Sequence, residues 1–141
     1  MSTPRPQRVL VTAAGTGIGA LASVSLARDG HTVYASMRDP QGRNTDTAQN
    51  LTDGTAGAAG ALSVIELDVL DEKSTLDAVE HIDREAGGLD VVVHNAAHLF
   101  VGVTEAFDAE EVLRAFDAVG ALRVNRAVLP VLRRQESGLL L

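Results

Sequence analysis

Between Val9 and Gly30 the sequence reads VLVTAAGTGIGALASVSLARDG, with Gly15, Gly17 and Gly19 set between a β-branched apolar run and a segment of helical character. Glycines in that place act through the backbone. A turn from a strand into a helix can hold a pyrophosphate on main-chain N–H groups at the positive end of the helix, and a side chain there would block the phosphates. Glycine also permits the tight turn and the close approach of backbone to ligand. Such residues also close turns for structural reasons alone, but their position after a first strand and before a helix points to a bound nucleotide. Two other ligands use similar turns. A P-loop ends in Gly-Lys-Ser/Thr, and the only lysine is Lys73, which excludes nucleoside triphosphate hydrolysis by that route. A methyltransferase turn typically follows an acid, where this chain has Thr12-Ala13-Ala14, and that reading stays open at this point.

Other residue sets carry less. His94 and His98 are four apart, but at a strand-to-loop junction they do not share a helical face, and hydrogen-bonded rings are expected rather than metal ligands. The acid pairs Asp71-Glu72 and Glu110-Glu111 stand at helix starts, where they complement the dipole. The chain has no cysteine, which removes disulfides, thiolate metal sites and a cysteine nucleophile, and which fits a cytoplasmic location. Nineteen acids against 12 bases give a net charge of -7, which repels nucleic acid and anionic membrane surfaces. Only three Phe and one Tyr are present, too few for a base-stacking platform, and no apolar run approaches a membrane span.

The elements that must position the glycine turn alternate along 141 residues, about one domain's length. Strands are expected at Arg8–Thr12, His31–Ser36, Leu62–Leu67 and Leu89–His94. Helices are expected over Ile18–Arg28, with Ile18, Leu21, Ala22 and Leu26 as its apolar positions, over Asn44–Leu51, and over Asp71–Ala86, with Leu76, Val79 and Ile82 on one face. A long helix should run from a capping box at Asp108 and Glu111 to about Gln135, kinked near Pro130, with Leu113, Phe116, Gly120, Val124, Ala127 and Val131 as its stripe. The final "LLL" after Gly138 begins a fifth strand. This order implies a single α/β domain over 1–141, a doubly wound parallel sheet built of right-handed crossovers.

With these residues in place the chain resembles the short-chain dehydrogenase/reductase family. Thr12, Gly17, Ile18 and Gly19 match its T-G-x-x-x-G-I-G motif, with Ala13 in place of the first glycine. "LDV" at Leu67–Val69 is similar to the family's D-V pair, in which Asp68 would receive the adenine amino group and Val69 flank the ring. "HNAA" at His94–Ala97 is similar to N-N-A-G, keeping Asn95 and Ala96, and Arg123–Gly138 resembles the long fifth helix and the turn after it. The resemblance implies a Rossmann-like fold, and a cofactor site of Ala14, Gly15, Thr16, Gly17, Ile18, Gly19, Arg38, Asp68, Val69, Asn95, Ala96 and Ala97. Cofactor choice follows from charge. An NAD site usually places an acid at the end of the second strand, where this chain reads "YASMRD", with Ser36 near that place and Arg38 beyond it. The permanently charged guanidinium fork suits a 2'-phosphate, so NADP(H) is favoured over NAD(H), with Asp39 as the counter-argument.

The family's hydride transfer also implies a serine and a Y-x-x-x-K helix. The one tyrosine, Tyr34, and Lys73 cannot form that pair, and the family's helix asparagine is absent from Asp117–Gly120, a segment that reads as two residues short. No catalytic or metal-ligating residue is therefore assigned. The chain is expected to be an incomplete domain, truncated after the start of its fifth strand and inactive alone, taking a small carbonyl or alcohol substrate only with a C-terminal half. The alternative is a non-catalytic dinucleotide-binding or interaction module. With a fifth strand only begun, Val91–Val93 becomes an exposed sheet edge, and self-association through that edge or through helices is expected.

Overall fold

The computed structural model describes residues 5–97, 108–110 and 118–141. Five strands form one all-parallel sheet in the order β3-β2-β1-β4-β5. They are β1 (Arg8–Val11), β2 (Thr32–Met37), β3 (Ala61–Glu66), β4 (Val91–Val93) and β5 (Leu139–Leu140). The helices are α1 (Gly17–Arg28), α2 (Thr45–Gly54), α3 (Glu72–Ala86) and α4 (Ala118–Gln135). The chain moves outward from β1 through β2 to β3 and then crosses back to β4 on the other side of β1. The strand order therefore reverses between β1 and β4, and ligands of such sheets bind at the carboxyl ends of the strands beside that reversal.

Alternation along each strand serves two cores. Val9, Val11, Val33, Ala35, Met37 and Val91 pack with Ala27 of α1 and Leu51 of α2. Leu10, Tyr34, Ile65 and Val92 point the other way, onto Ala78, Val79 and Ile82 of α3 and Val124, Val128 and Val131 of α4. Apolar residues on both faces are what a parallel sheet covered twice requires.

The expected apolar positions are buried on α4 and, at Val79 and Ile82, on α3, but α1 is seated on other residues. On α1 the buried positions are Gly19, Ser23 and Ala27, while Ile18 and Leu21 are 80% and 74% exposed. Small residues let this helix approach the sheet closely, with Val24 and Leu26 partly buried against the same core and Ile18 and Leu21 on the outer flank. On α3 the buried set is Thr75, Ala78, Val79 and Ile82, and Leu76 is exposed. Asp71 caps α3 by accepting the N–H groups of Lys73 and Ser74, and Gly87 ends it in the left-handed conformation, φ 69°. Helix α4 continues through Pro130 to Gln135, with Gly120, Val124, Ala127 and Val131 buried. The capping pair with Glu111, the stripe positions Leu113 and Phe116, and Asp117 lie outside the described residues.

Two side-chain clamps fix the sheet's lower end. Arg8 grips Asp90 through Nε and Nη2 at 2.8 and 2.7 Å, joining β1 to the approach to β4. Gln135 makes a reciprocal pair with the backbone of Leu89, accepting its N–H at 2.9 Å and donating to its carbonyl at 2.7 Å. The sheet edge differs from the expected one. β5 already pairs with β4, Val91 beside Leu139 and Val92 beside Leu140, so the edge is the two-residue β5 and not Val91–Val93.

Candidate functional site

At the carboxyl ends of the strands a cleft of about 420 Å³ opens beside the glycine turn, within the roughly 300–1,000 Å³ of ligand pockets. Four segments line it. They are the turn after β1 (Ala13, Gly15, Thr16), the end of β2 (Met37, Arg38), the loop after β3 (Leu67–Leu70) and the segment after β4 (Ala96, Ala97), with Asn44 and Thr47 closing one side.

The turn itself is shaped by its neighbours. Gly17 has φ 59°, a left-handed value that favours glycine. A Cβ on Gly19 would collide with the Asn95 side-chain nitrogen and come within 2.9 Å of the Ala13 carbonyl, so this glycine allows the helix to meet the β4 segment. Asn95 Nδ2 donates to the carbonyls of Thr12 and Ala13 at 3.1 and 3.0 Å. Thr12 Oγ1 accepts the N–H groups of Asn95 and Ala96, both at 3.0 Å, and donates to Val93 O at 3.3 Å. The turn after β1 and the segment after β4 are thereby locked together. Ala13 takes φ 51°, the conformation that a glycine would adopt without strain. Thr16 precedes α1 without a side-chain cap, and no acid occupies the first turn, so the positive end of the helix faces the site unneutralised by its own residues.

The end of β2 presents Arg38, exposed and lining the cleft. Asp39 points elsewhere: its Oδ2 accepts the N–H of Arg43 at 2.9 Å, and its carbonyl accepts the N–H of Asn44 at 3.1 Å. Asn44 in turn donates to the Arg38 carbonyl at 2.5 Å. Ser36 is fully buried, with its hydroxyl unpartnered, and its carbonyl accepts the Ala14 N–H at 2.7 Å. In the loop after β3, Asp68 accepts the Leu70 N–H at 2.9 Å, and its own N–H is held by Ser74 Oγ at 3.0 Å.

Of the residues expected at the site, Gly15, Thr16, Arg38, Asp68, Val69, Ala96 and Ala97 line this cleft together. Ala14, Gly17, Ile18, Gly19 and Asn95 lie beside it. Ala14 is buried with its N–H committed to β2, Asn95 ties the turn, and Ile18 stands on the outer flank of α1. The His94 ring is hydrogen-bonded, its Nε2 2.8 Å from Asn125 Oδ1, while His98 lies outside the described residues. Among the described residues no cluster of three or more His, Cys, Asp or Glu could hold a metal, and no helix is long and apolar enough to cross a membrane. Tyr34 is buried in the core, where desolvation raises the phenol's pKa, and Lys73 is exposed and paired with Asp77, so neither belongs to the cleft.

Sequence reading missed Met37, Asn44, Thr47, Leu67 and Leu70 as lining residues and Thr12 as the brace between two strands. Met37 and Leu67 were legible only as apolar residues at strand ends. Nothing local marks Asn44 or Thr47, which reach the cleft because α2 returns past the end of β2.

The whole of residues 7–141 matches the family model described as short chain dehydrogenase. Human 17-beta-hydroxysteroid dehydrogenase type 1 is 37% identical over 137 residues, covering 92% of this chain and 40% of that protein. The 3-ketodihydrosphingosine reductase of Bacteroides thetaiotaomicron is 30% identical over 136 residues, covering 95% and 45%. The crystal structure of a short-chain type dehydrogenase/reductase from Mycobacterium marinum superposes with a TM-score of 0.85 at 26% identity, over 99% of this chain and 58% of that one. The chain spans less than half the length of the two curated relatives.

Proposed function

The chain belongs to the short chain dehydrogenase family, and on that premise we propose that it forms the NADP(H)-binding half of an oxidoreductase acting on a carbonyl or alcohol substrate. The observation that carries this reading is one cleft at which the glycine turn, the β3 loop and the β4 segment converge, with an arginine facing it and the adjacent acid turned away. When bound, the nicotinamide supplies or accepts the hydride. The residues of this chain bind and orient. The open first turn of α1, reached through Gly15–Gly19, receives the pyrophosphate charge on backbone N–H groups. The Arg38 guanidinium meets the 2'-phosphate, and Asp39, which would repel it, is engaged with the Arg43 N–H. Asp68 accepts the adenine amino group, Val69 flanks the ring, and Ala96 and Ala97 form the facing wall. With Tyr34 in the core and Lys73 on the surface, no described residue of the cleft is poised as the acid or base of the reaction, so the 141-residue chain binds cofactor without turnover.

Titration with NADPH and NADH, followed by nicotinamide fluorescence, tests the assignment. Arg38→Ala should weaken NADPH binding by about 10-fold or more, the scale of one charged hydrogen bond, and leave NADH binding unchanged. Equal losses for both nucleotides, or tighter NADH binding by the parent chain, would overturn the NADP(H) assignment. Supplied with NADPH and a panel of ketones, the same protein should consume no nucleotide, and any ketone-dependent oxidation would contradict the reading of a half-site.

A further inference from the structure

We infer that Arg123, on the long helix α4, is a positioning residue that sets how the Asp68–Val69 loop reads the base of the cofactor; the inference rests on the cofactor reading above. Arg123 lies outside the cleft lining and has no place in the glycine or adenine motifs. Its Nη1 donates to the Val69 carbonyl at 3.3 Å. One turn earlier, Gly120 brings the helix backbone against the same residue: a Cβ there would stand 3.0 Å from Val69 Cγ2 and 3.1 Å from Val69 Cβ, tighter than ordinary contact. Val69 is thus held at its side chain by the helix surface and at its carbonyl by a cation.

Val69 also packs against the core cluster shared by α3 and α4, but its carbonyl is held by Arg123. The loop follows β3 immediately, at the outer edge of the sheet, and among the described residues no strand flanks β3 on that side. From below, the start of α3 steadies Asp68, whose N–H is held by Ser74 and whose carbonyl accepts the Asp71 N–H at 3.0 Å and the Thr75 hydroxyl at 3.3 Å. A shift of Val69 carries Asp68 with it, because Leu70 N–H is tied back to the Asp68 carboxylate. That carboxylate is the group placed against the adenine amino group. The same helix also holds the far wall of the cleft, through Asn125 against the His94 ring at 2.8 Å. Neighbouring Arg126 reaches Glu72 at 3.3 Å between exposed side chains, which makes it a matched charge control.

The test is base discrimination, which a general loss of stability does not change. Binding of NADPH and of its hypoxanthine analogue, which lacks the amino group, is measured on the parent chain and on R123M, R123K and R126Q. The parent should prefer NADPH by about 10-fold, the scale of a hydrogen bond to a charged group. R123M should cut that preference by about five-fold, R123K should retain most of it, because lysine can still donate to the Val69 carbonyl, and R126Q should leave it unchanged. A folded R123M with the parent's discrimination overturns the inference, as does equal damage by R126Q. A parent that binds both nucleotides alike removes Asp68 as the reader and overturns it too, whereas a parent that binds neither overturns the cofactor reading itself.

Discussion

Ala13 occupies the first position of the glycine turn in a conformation that an L side chain resists, where Asn95 holds it. Its φ of 51° carries a steric cost, and its carbonyl accepts a hydrogen bond from Asn95. Ala13→Gly should therefore raise unfolding stability by about 1 kcal/mol, the relief of strain being partly offset by a more flexible unfolded chain. Urea unfolding reads this directly; a neutral or lower midpoint would show that the turn is relaxed as it stands. At this scale the sequence was informative where an atom's absence matters. Gly17 takes the left-handed turn conformation that its type implies, while Gly19 is needed for close approach to Asn95 and the Ala13 carbonyl, protein neighbours that the sequence reading did not name. The sequence was less informative where a side chain's direction matters: the Arg38-Asp39 pair favoured NADP(H) with Asp39 as the counter-argument, and it takes the structure to place Arg38 in the cleft lining and Asp39 on the Arg43 N–H. Thr12 was equally opaque, since its two acceptor bonds reach residues more than eighty positions away.

Elements were legible wherever their period or punctuation was strong. The β-branched runs gave every strand to within a residue or two, and Gly87 ended α3 as its place after the apolar stripe implies. The faces of the helices were less legible. Apolar spacing chose Ile18 and Leu21, whereas α1 is seated by Gly19, Ser23 and Ala27, because close backbone approach near the glycine turn selects small residues over large ones. At the opposite end of the sheet, Arg8 and Asp90 join two elements through part-buried side chains, each 23% exposed. The guanidinium holds the Asp90 carboxyl below its ordinary value of 3.8. A carboxyl whose pKa is lower folded than unfolded contributes stability fully above the unfolded value and loses it as pH falls through the folded one. Asp90→Asn should thus cost about 2 kcal/mol near neutrality, and the difference from the parent should shrink as pH falls below 3.8. Unfolding curves between pH 2 and 7 check it; a difference independent of pH would mean that packing, not the ion pair, is at work.

The described residues form a sheet covered on both faces, with the candidate cofactor cleft at one end. The reversal of strand order between β1 and β4 puts the glycine turn, Arg38, the Asp68 loop and the Ala96–Ala97 segment around one opening, and that convergence follows from the alternating order of strands and helices. The residues after Gly138 read as the start of a fifth strand; that two pairing residues suffice to extend the ladder beyond β4 and cover its edge is seen only in the structure. The chain covers 40% and 45% of two of its curated relatives, so cofactor binding rather than turnover is the property to measure on the chain itself. The most direct measurement is the thermal melt of the 141-residue protein with and without NADPH, because a ligand that binds only the folded state stabilises it by mass action. A midpoint that rises with NADPH concentration, and rises less with NADH, is the predicted result. A melt unmoved by saturating amounts of either nucleotide would contradict the account, since the cleft beside the glycine turn would then hold no dinucleotide.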